Sequence, residues 1–241
     1  MAVQNSWSFL HLDSHSSMAT KVQQTKNSSQ QQNSARNSKT LILISFPIVV
    51  LFCIIGYFFL DLVVVKYCAS TFTNNNIRGI LKDISKLGLA TYYLIFAAVC
   101  FLIFRFVKKR KVWSNRALFV FLSISFSGIL VLILKFILGR YRPKMFLQEQ
   151  LYGFKFFQLK GKLTSFPSGH ASTIVALMLA LYFINPKYRV IYFVIALVIV
   201  ISRVLVCHHY LTDAVFGSYL AIVTTVCLKH FMEKRGLPIH E

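Results

Sequence analysis

Two stretches of the chain place histidines at the start of apolar runs, where they could act on a bound anion. The first is the turn Phe166-Pro167-Ser168-Gly169-His170, which leads directly into the apolar run 171–184. Helix N-termini carry unpaired N–H groups and a partial positive charge that favour anions. His170, in the first turn, could exchange a proton near neutral pH. A simpler interpretation is an ordinary helix start with Ser168 as its N-cap.

The second stretch pairs His209 with Asp213 at the start of the last apolar run. Residues four apart share one face of a helix, so these two side chains could form a hydrogen bond. An aspartate inside an apolar run is costly, and a histidine partner would explain its presence. Taken alone, His209 also fits an interfacial histidine whose hydrogen bonds are satisfied.

Three cationic side chains lie near the ends of other apolar runs. Lys135 and Arg203 could extend their charges to the membrane surface, whereas Arg142 precedes Pro143 and marks the end of a helix. Phosphoryl transfer needs positive charge on the phosphoryl oxygens, a nucleophile and a proton donor, which these residues could supply together. Only Glu149 would add a carboxylate nearby, so we expect no metal site, no cofactor and a metal-independent reaction.

The composition indicates the elements that must position these residues. Of the 241 residues, 56% are hydrophobic, which is typical of an integral membrane protein rather than a soluble one. We predict an all-α fold, a polytopic membrane helical bundle with about six transmembrane helices, each needing roughly 20 apolar residues. The predicted segments are residues 41–65, 87–107, 117–138, 171–184, 190–207 and 210–228.

Three regions follow from this pattern. Residues 1–40 are rich in Ser, Gln and Asn and are predicted to form a disordered, cytoplasmic tail. This tail lacks the basic start and early apolar run of a cleaved signal peptide, so we expect it to be retained. Residues 41–229 form the predicted six-helix domain, and residues 230–241 a short cytoplasmic tail.

The basic residues predict orientation and partners. Lys108 to Lys111 crowd a short loop, which should therefore be cytoplasmic together with both termini. The five candidate residues at the ends of these segments then all fall on the opposite membrane face: Lys135, His170, Arg203, His209 and Asp213. The net charge of +20 would suggest nucleic acid for a soluble protein. Because the charges flank apolar segments, we expect an anionic phospholipid or glycolipid as the partner, and no nucleic acid.

Two smaller features leave alternatives open. Cys68 and Cys207 fall on the same predicted face and could form a disulfide, but isolated buried thiols are the favoured interpretation, because the sequence has no paired-cysteine motif. The loop 144–165 mixes lysines with aromatic residues, which suits a headgroup region where a lipid phosphate enters sideways. An ordinary interfacial loop would have the same composition.

The order and spacing of the candidate residues resemble the three-part signature of the type 2 phosphatidic acid phosphatase superfamily. The parts are Lys135 with Arg142-Pro143 after six residues, Pro167-Ser168-Gly169-His170, and Ser202-Arg203 followed by His209 and Asp213. All three parts are intact, and the six-segment layout matches the lipid phosphate phosphatases of that family. The resemblance implies an integral-membrane phosphatase acting on a phosphate monoester or diphosphate of a lipid.

The resemblance also implies a role for each residue. His209 would be the nucleophile that forms a phosphohistidine, and Asp213 would orient it. His170 would protonate the leaving oxygen and then activate water. The phosphoryl oxygens would be held by the phosphate-binding residues Lys135, Arg142, Ser168, Gly169 and Arg203.

The short chain favours a bacterial member of the family, in the inner membrane with a periplasmic active site. Lipid A 1-phosphate or undecaprenyl diphosphate is the favoured substrate, with phosphatidylglycerol phosphate and phosphatidate as further candidates. One alternative is a non-catalytic lipid-phosphate binding protein or transporter on the same fold. Another is an enzyme for water-soluble phosphate esters or a vanadate-dependent oxidant, which the apolar segments disfavour.

Overall fold

The computed structural model describes residues 33, 35–72, 75–158 and 160–239. Among these residues every regular element is helical, apart from one antiparallel bridge between Arg140 and Phe154. The all-α prediction is therefore confirmed. The helices are α1 Ala35–Phe59, α2 Asp61–Thr71, α3 Asn75–Lys86, α4 Ala90–Leu102 with a π-turn Ile103–Val107, α5 Lys111–Leu138, α6 Pro143–Glu149, α7 Gly169–Ile184, α8 Arg189–Leu205 and α9 Leu211–Lys234.

In the described part of the chain, five helical segments are long and apolar enough to cross a membrane, and α7 is a shorter apolar helix. At 1.5 Å per residue, α7 is about 24 Å long, against a hydrocarbon core of roughly 30 Å. The chain divides into two compact units, Met1–Ser45 and Phe46–Glu241, and every candidate site residue belongs to the second. The five long segments are Ala35–Phe59, Asn76–Val107, Lys111–Leu138, Pro186–Leu205 and Leu211–Lys234.

The first predicted segment, residues 41–65, differs from the observed helices. It is divided at Leu60 into α1 and α2, and α3 follows in a region where no helix was predicted. Because α3 contains many polar residues, its sequence does not form an apolar run. Most of the predicted tail 1–40 lies outside the described residues, although α1 reaches back to Ala35. At the other end α9 continues to Lys234, within the predicted tail 230–241.

Helix α7 lies at the centre of the bundle, packed against α5, α8 and α9. Its buried face includes Ala171, Ala176 and Ala180, whose small side chains allow neighbouring helices to approach closely. Between α7 and α5, the hydroxyl of Ser172 donates a hydrogen bond to that of Ser127 at 3.0 Å. This packing holds the N-terminus of α7, and with it His170, at one end of the bundle.

The end of α5 is covered by the segment 151–158. Gly139 adopts a left-handed conformation with φ of 50°, and its N–H donates to the carbonyl of Lys135. A Cβ at this position would lie 1.9 Å from the carbonyl oxygen of Lys155, so only glycine fits. Further backbone bonds join Tyr141 to Gly153. These backbone bonds hold the chain around residues 140 and 142 in place.

All five cysteines are free thiols. Cys68 and Cys207 are both buried, and the Cys207 thiol lies 3.9 Å from the carbonyl oxygen of Val65. The alternative in which these two residues pair is therefore absent from the structure. Buried thiols of this kind pack as small hydrophobic side chains.

Candidate active site

The turn before α7 is held in place by both α7 and α9. Ser168 is the N-cap of α7: its Oγ accepts a bond from the Ala171 N–H at 3.4 Å, as the simpler interpretation predicted. Its own N–H donates to the carbonyl of Asp213 at 2.9 Å. A Cβ on Gly217 would lie only 2.4 Å from the carbonyl oxygen of Ser168, so the absence of a side chain at Gly217 allows α9 to approach the turn.

His170 and Gly169 begin α7 and face residues from two other elements. A Cβ on Gly169 would lie 3.9 Å from Cε of Lys135, which places the lysine stem beside the turn. On the other side, a Cβ on Gly88 would lie 2.8 Å from Cβ of His170. The turn that follows α3 therefore packs directly against the histidine, a contact that the sequence did not predict.

Three predicted cations, here called the cation cluster (Lys135, Arg142 and Arg203), lie close to one another and to His170. Their charges act on each other and on the His170 imidazole. Each side chain bonds to an uncharged oxygen, which leaves its positive charge available to an anion. The bonds are Lys135 Nζ to the Thr164 carbonyl at 2.6 Å, Arg142 Nε to the Gly161 carbonyl at 2.7 Å, and Arg203 Nη1 to the Ser85 hydroxyl at 2.5 Å.

The relation between His209 and Asp213 differs from the predicted helical pair. Helix α9 begins at Leu211, so His209 precedes the helix instead of sharing a face with Asp213. Nδ1 of His209 lies 3.5 Å from Oδ2 of Asp213 and has no hydrogen-bond partner among the described residues. The same Oδ2 accepts bonds from the Tyr210 N–H at 2.9 Å and the Ser165 hydroxyl at 2.5 Å.

Burial dominates the electrostatics of His209, whose exposed fraction is 2%. It lowers the pKa of His209 to about 3, against the opposing effect of Asp213. Lys135 and Arg142 act in the same direction as burial. The imidazole is thus neutral at physiological pH. Because Nδ1 faces Asp213, Nε2 is the nitrogen left to act as a nucleophile.

All eight predicted site residues are therefore brought to one end of the bundle. The turn before α7, the cation cluster and the two histidines lie close enough for their charges to act on one another. Arg142 also contacts the segment before α9, because its Nη1 lies 3.5 Å from the carbonyl oxygen of His208. Burial lowers the pKa of the Arg142 guanidinium. Such a site can hold an anion, present a neutral nucleophile to it and exchange a proton.

Sequence reasoning missed two charged residues behind His209. Arg140 is buried and bonds to Asp213 at 2.6 Å through Nη1 and to Asp61 at 2.7 Å through Nη2. Both carboxylates are fully buried. We call Asp61, Arg140 and Asp213 the buried ion-pair network. The signal for Asp61 was available, because it is an acidic residue inside an apolar run, as Asp213 is.

The aromatic and basic loop 144–165 separates into two parts. Phe146 and Tyr152 pack inward, and the Tyr152 hydroxyl accepts a bond from Arg140 at 2.9 Å. Phe156 and Phe157 are 57% and 66% exposed, with the exposed Lys155 beside them. The inward part supports the site, and the outward part is the portion available to a membrane surface.

A comparison with protein families decides the classification. Residues 116–237 match the PAP2 superfamily. This chain belongs to that superfamily. The matched region contains all eight predicted site residues and Arg140, whereas Asp61 lies outside it.

Two curated relatives of this PAP2 protein are lipid A 1-phosphatases. Those of Rhizobium johnstonii and Rhizobium etli are each 33% identical over 112 residues. The aligned region is 45% of this chain, 46% of the first relative and 48% of the second. The chain thus spans about half the length of the curated relatives that it matches.

Two crystal structures share the fold. The PAP2 type phosphatidylglycerolphosphate phosphatase from Bacillus subtilis has a TM-score of 0.58 at 21% identity, covering 80% of this chain and 96% of that one. Aquifex aeolicus LpxE has a TM-score of 0.54 at 19% identity, covering 70% and 94%. At this identity the similarity concerns the fold alone, and it agrees with the predicted membrane helical bundle.

Proposed function

We propose that this protein is a metal-independent membrane phosphatase that removes a phosphate from a lipid. The observation that carries the proposal is the position of His209. This buried, neutral histidine lies beside a buried carboxylate and within electrostatic reach of the cation cluster. Binding alone would need the cations but not an oriented nucleophile.

In the first step, Nε2 of His209 attacks the phosphorus, and the bond from phosphorus to the leaving oxygen breaks. His170 enters this step protonated, because it faces the negative charge of the bound phosphate. It gives that proton to the leaving oxygen, which departs as an alcohol or a phosphate. The His209 ring becomes a positively charged phosphohistidine, and Asp213 offsets that charge. The cation cluster, Ser168 and the Gly169 N–H hold the phosphoryl oxygens throughout.

In the second step, His170, now neutral, takes a proton from water. The resulting hydroxide attacks the phosphohistidine, the P–N bond breaks, and inorganic phosphate is released with His209 neutral again. His170 gives up a proton in the first step and regains one in the second, so the enzyme returns to its starting state. Three fixed cations supply the charge stabilisation that a divalent ion provides in other phosphatases.

The substrate proposed is a lipid phosphate of the lipid A 1-phosphate type, on the strength of the two curated relatives. Undecaprenyl diphosphate is the second choice. Both relatives are bacterial, and the basic loop around Lys108 to Lys111 favours a cytoplasmic location for that end of the bundle. We therefore place the protein in the bacterial inner membrane, with its active site on the periplasmic side and both termini in the cytoplasm.

The proposal is tested by phosphate release from purified protein in lipid nanodiscs containing EDTA. Lipid A 1-phosphate and a short-chain phosphatidic acid are supplied separately. We expect turnover of at least one substrate, and a ³²P-labelled protein intermediate after a rapid acid quench. His209→Ala should abolish both signals, with a loss of more than about 10⁴-fold, because no nucleophile remains.

The matched control is His230→Ala. His230 lies on α9, 17 residues beyond Asp213 and so about 25 Å along the helix. It should keep wild-type turnover. Strict dependence on added Mg²⁺ would exclude the metal-independent reaction, and retained turnover in His209→Ala would exclude His209 as the nucleophile. Binding of labelled lipid without any phosphate release by the wild type would favour the binding protein or transporter.

A further inference from the structure

Arg140 lies behind the proposed nucleophile. Each terminal nitrogen of its buried guanidinium has two hydrogen-bond partners, whereas Nε has none among the described residues. Nη1 donates to Asp213 at 2.6 Å and to the Thr212 hydroxyl at 2.8 Å. Nη2 donates to Asp61 at 2.7 Å and to the Tyr152 hydroxyl at 2.9 Å. The planar fork of an arginine suits this geometry, because it directs two nitrogens at two different carboxylates.

Aromatic rings enclose the same guanidinium. Its central carbon lies 4.2 Å from the ring centre of Tyr210 and 5.0 Å from that of Tyr57. The rings of Tyr152 and Phe154 are each 5.4 Å away. Cation–π attraction and exclusion of water both hold the charge where it is. Arg140 is therefore a fixed part of the structure and not a group that swings to meet a phosphate.

Asp61 ties this arrangement to the start of α9. Its Oδ1 accepts from the Thr212 N–H at 3.1 Å, and its Oδ2 from the Thr212 hydroxyl at 2.6 Å. Thr212 is the neighbour of Asp213. Asp61 consequently holds the first turn of α9 twice, directly through Thr212 and indirectly through Arg140.

The charges of the buried ion-pair network sum to minus one, because two carboxylates share one guanidinium. Burial alone would lower the pKa of Arg140, but Asp213 and Asp61 raise it above its usual range, so the guanidinium stays charged. The charged groups that act on His209 include Lys135 and Arg142, both positive, and Asp213. The negative charge of the network opposes those two cations.

We propose that Arg140 and Asp61 are positioning residues for the phosphatase reaction, acting through Asp213. Arg140 holds the Asp213 carboxylate against His209, and Asp61 offsets the charge of Arg140. Asp213 can then stabilise the positive charge that develops on the His209 ring as the P–N bond forms. This inference rests on the proposed function, and it adds two residues to the eight predicted site residues.

The test compares Asp61→Asn, Arg140→Gln and the double variant in nanodiscs, with short-chain phosphatidic acid as substrate. Asp61→Asn makes the local charge neutral, and Arg140→Gln makes it minus two. Each should lower kcat about 10²-fold while KM changes less than about threefold, because the charge on His209 develops only after binding. The double variant restores a charge of minus one, so its kcat should exceed the product of the single effects by at least about tenfold.

The control for Asp61→Asn is Asp83→Asn. Asp83 pairs with Lys86 on α3, where both side chains are about 70% exposed, and the change should leave kcat unaltered. Thermal unfolding identifies variants that fail to fold. If Arg140→Gln fails, Arg140→Lys carries the test: it keeps the charge but not the fork, and should lower kcat about tenfold at constant KM.

The outcomes separate this inference from the proposed function. If His209→Ala is inactive but the single variants keep kcat within threefold of the wild type, the positioning role is wrong and the nucleophile stands. Single effects that multiply without compensation in the double variant also overturn the role, since they indicate structural damage alone. If Arg140→Lys has the wild-type kcat, the fork is not needed. Activity in His209→Ala would instead reject the proposed function itself.

Discussion

The cation cluster and the buried ion-pair network are neighbours, yet they treat charge in opposite ways. In the cluster, three cations bond to carbonyl and hydroxyl oxygens, which cancel none of their charge. In the network, Arg140 bonds to two carboxylates, and the carboxylates bond to hydroxyls and backbone N–H groups. The cluster therefore keeps positive charge that an anion can offset, whereas the network already pairs its one cation with two carboxylates.

The two arrangements therefore affect the stability of the protein in different ways. Like charges held together without carboxylates destabilise the empty protein, and a bound phosphate relieves the repulsion. Removing one partner of a buried ion pair is strongly destabilising, because the other charge is then left in a medium of low polarity. Substitutions in the cluster should therefore act on turnover, and substitutions in the network on both turnover and stability.

The largest effect expected from this comparison is that of Arg203→Gln. It removes one cation from the cluster, and kcat/KM should fall about 10²- to 10³-fold, as for other groups that stabilise developing charge. The melting temperature should stay the same or rise, because one repulsive charge is gone. Phosphate release and thermal unfolding of the same nanodisc preparation measure the two quantities.

The matched control is Arg189→Gln, an exposed arginine at the other end of α8. It should change neither quantity. Arg140→Gln provides the opposite pattern, with a lower melting temperature as well as lower turnover. A melting temperature that falls as far in Arg203→Gln as in Arg140→Gln would remove the distinction between the two regions.

The cluster was predictable from sequence, and the network was not. Lys135, Arg142 and Arg203 are recognisable from their spacing and from their places at the ends of apolar runs. Arg140 stands two residues before Arg142 and was overlooked because the nearby Arg142-Pro143 already marked the end of the helix. Its partner Asp61 is 79 residues away, in a segment that was predicted to be a plain membrane span. Only tertiary packing brings these two together.

The same limit applies to local geometry. The spacing of His209 and Asp213 predicted a shared helical face, but Asp213 caps α9 through the Tyr210 N–H, which leaves His209 outside the helix. A periodicity argument cannot detect such a cap when the N-cap residue is a tyrosine. Likewise α3 has few apolar residues in a row, so the contact of Gly88 with His170 could not be foreseen. The overall layout was predictable because long apolar runs leave few alternatives to helices.

A second, intermediate effect is expected at Gly217 of α9, which packs against the turn before α7. Gly217→Ala would place a Cβ 2.4 Å from the Ser168 oxygen and 3.1 Å from the Ser168 nitrogen. The turn before α7 must shift, which should cost about 1–3 kcal/mol of stability, as other overpacking substitutions do. Since that turn presents Gly169 and His170, kcat/KM should fall about tenfold.

Gly128→Ala is the control for this change. Gly128 also lies within a helix, α5, but a Cβ there would meet nothing within 4 Å. The alanine should keep turnover and slightly favour the helix. If Gly217→Ala is as active and as stable as Gly128→Ala, then the close approach of α9 does not hold the turn before α7.

The smallest expected effect is the loss of stability at acidic pH, when a histidine near the cation cluster becomes protonated. Burial lowers the pKa of His208 to about 4, with Arg203, Lys144, Arg142 and Lys82 acting in the same direction. The unfolded chain would have a histidine pKa of about 6.5. Between these values the unfolded state binds more protons, so stability falls as pH decreases from about 6.5 to about 4. The pKa of His209 is also lowered, so this histidine too makes stability fall as the pH decreases.

Thermal unfolding at pH 7.5 and pH 5 measures this dependence. His208→Asn should reduce the loss on acidification by about 1 kcal/mol, after allowance for solvent screening of a half-buried group. Inorganic phosphate should also reduce it, because a bound anion offsets the charge of a protonated His208 and raises its pKa. An unchanged pH dependence in His208→Asn would show that His208 is not destabilised by protonation. An effect of phosphate equal in wild type and Arg203→Gln would show that the anion binds away from the cluster.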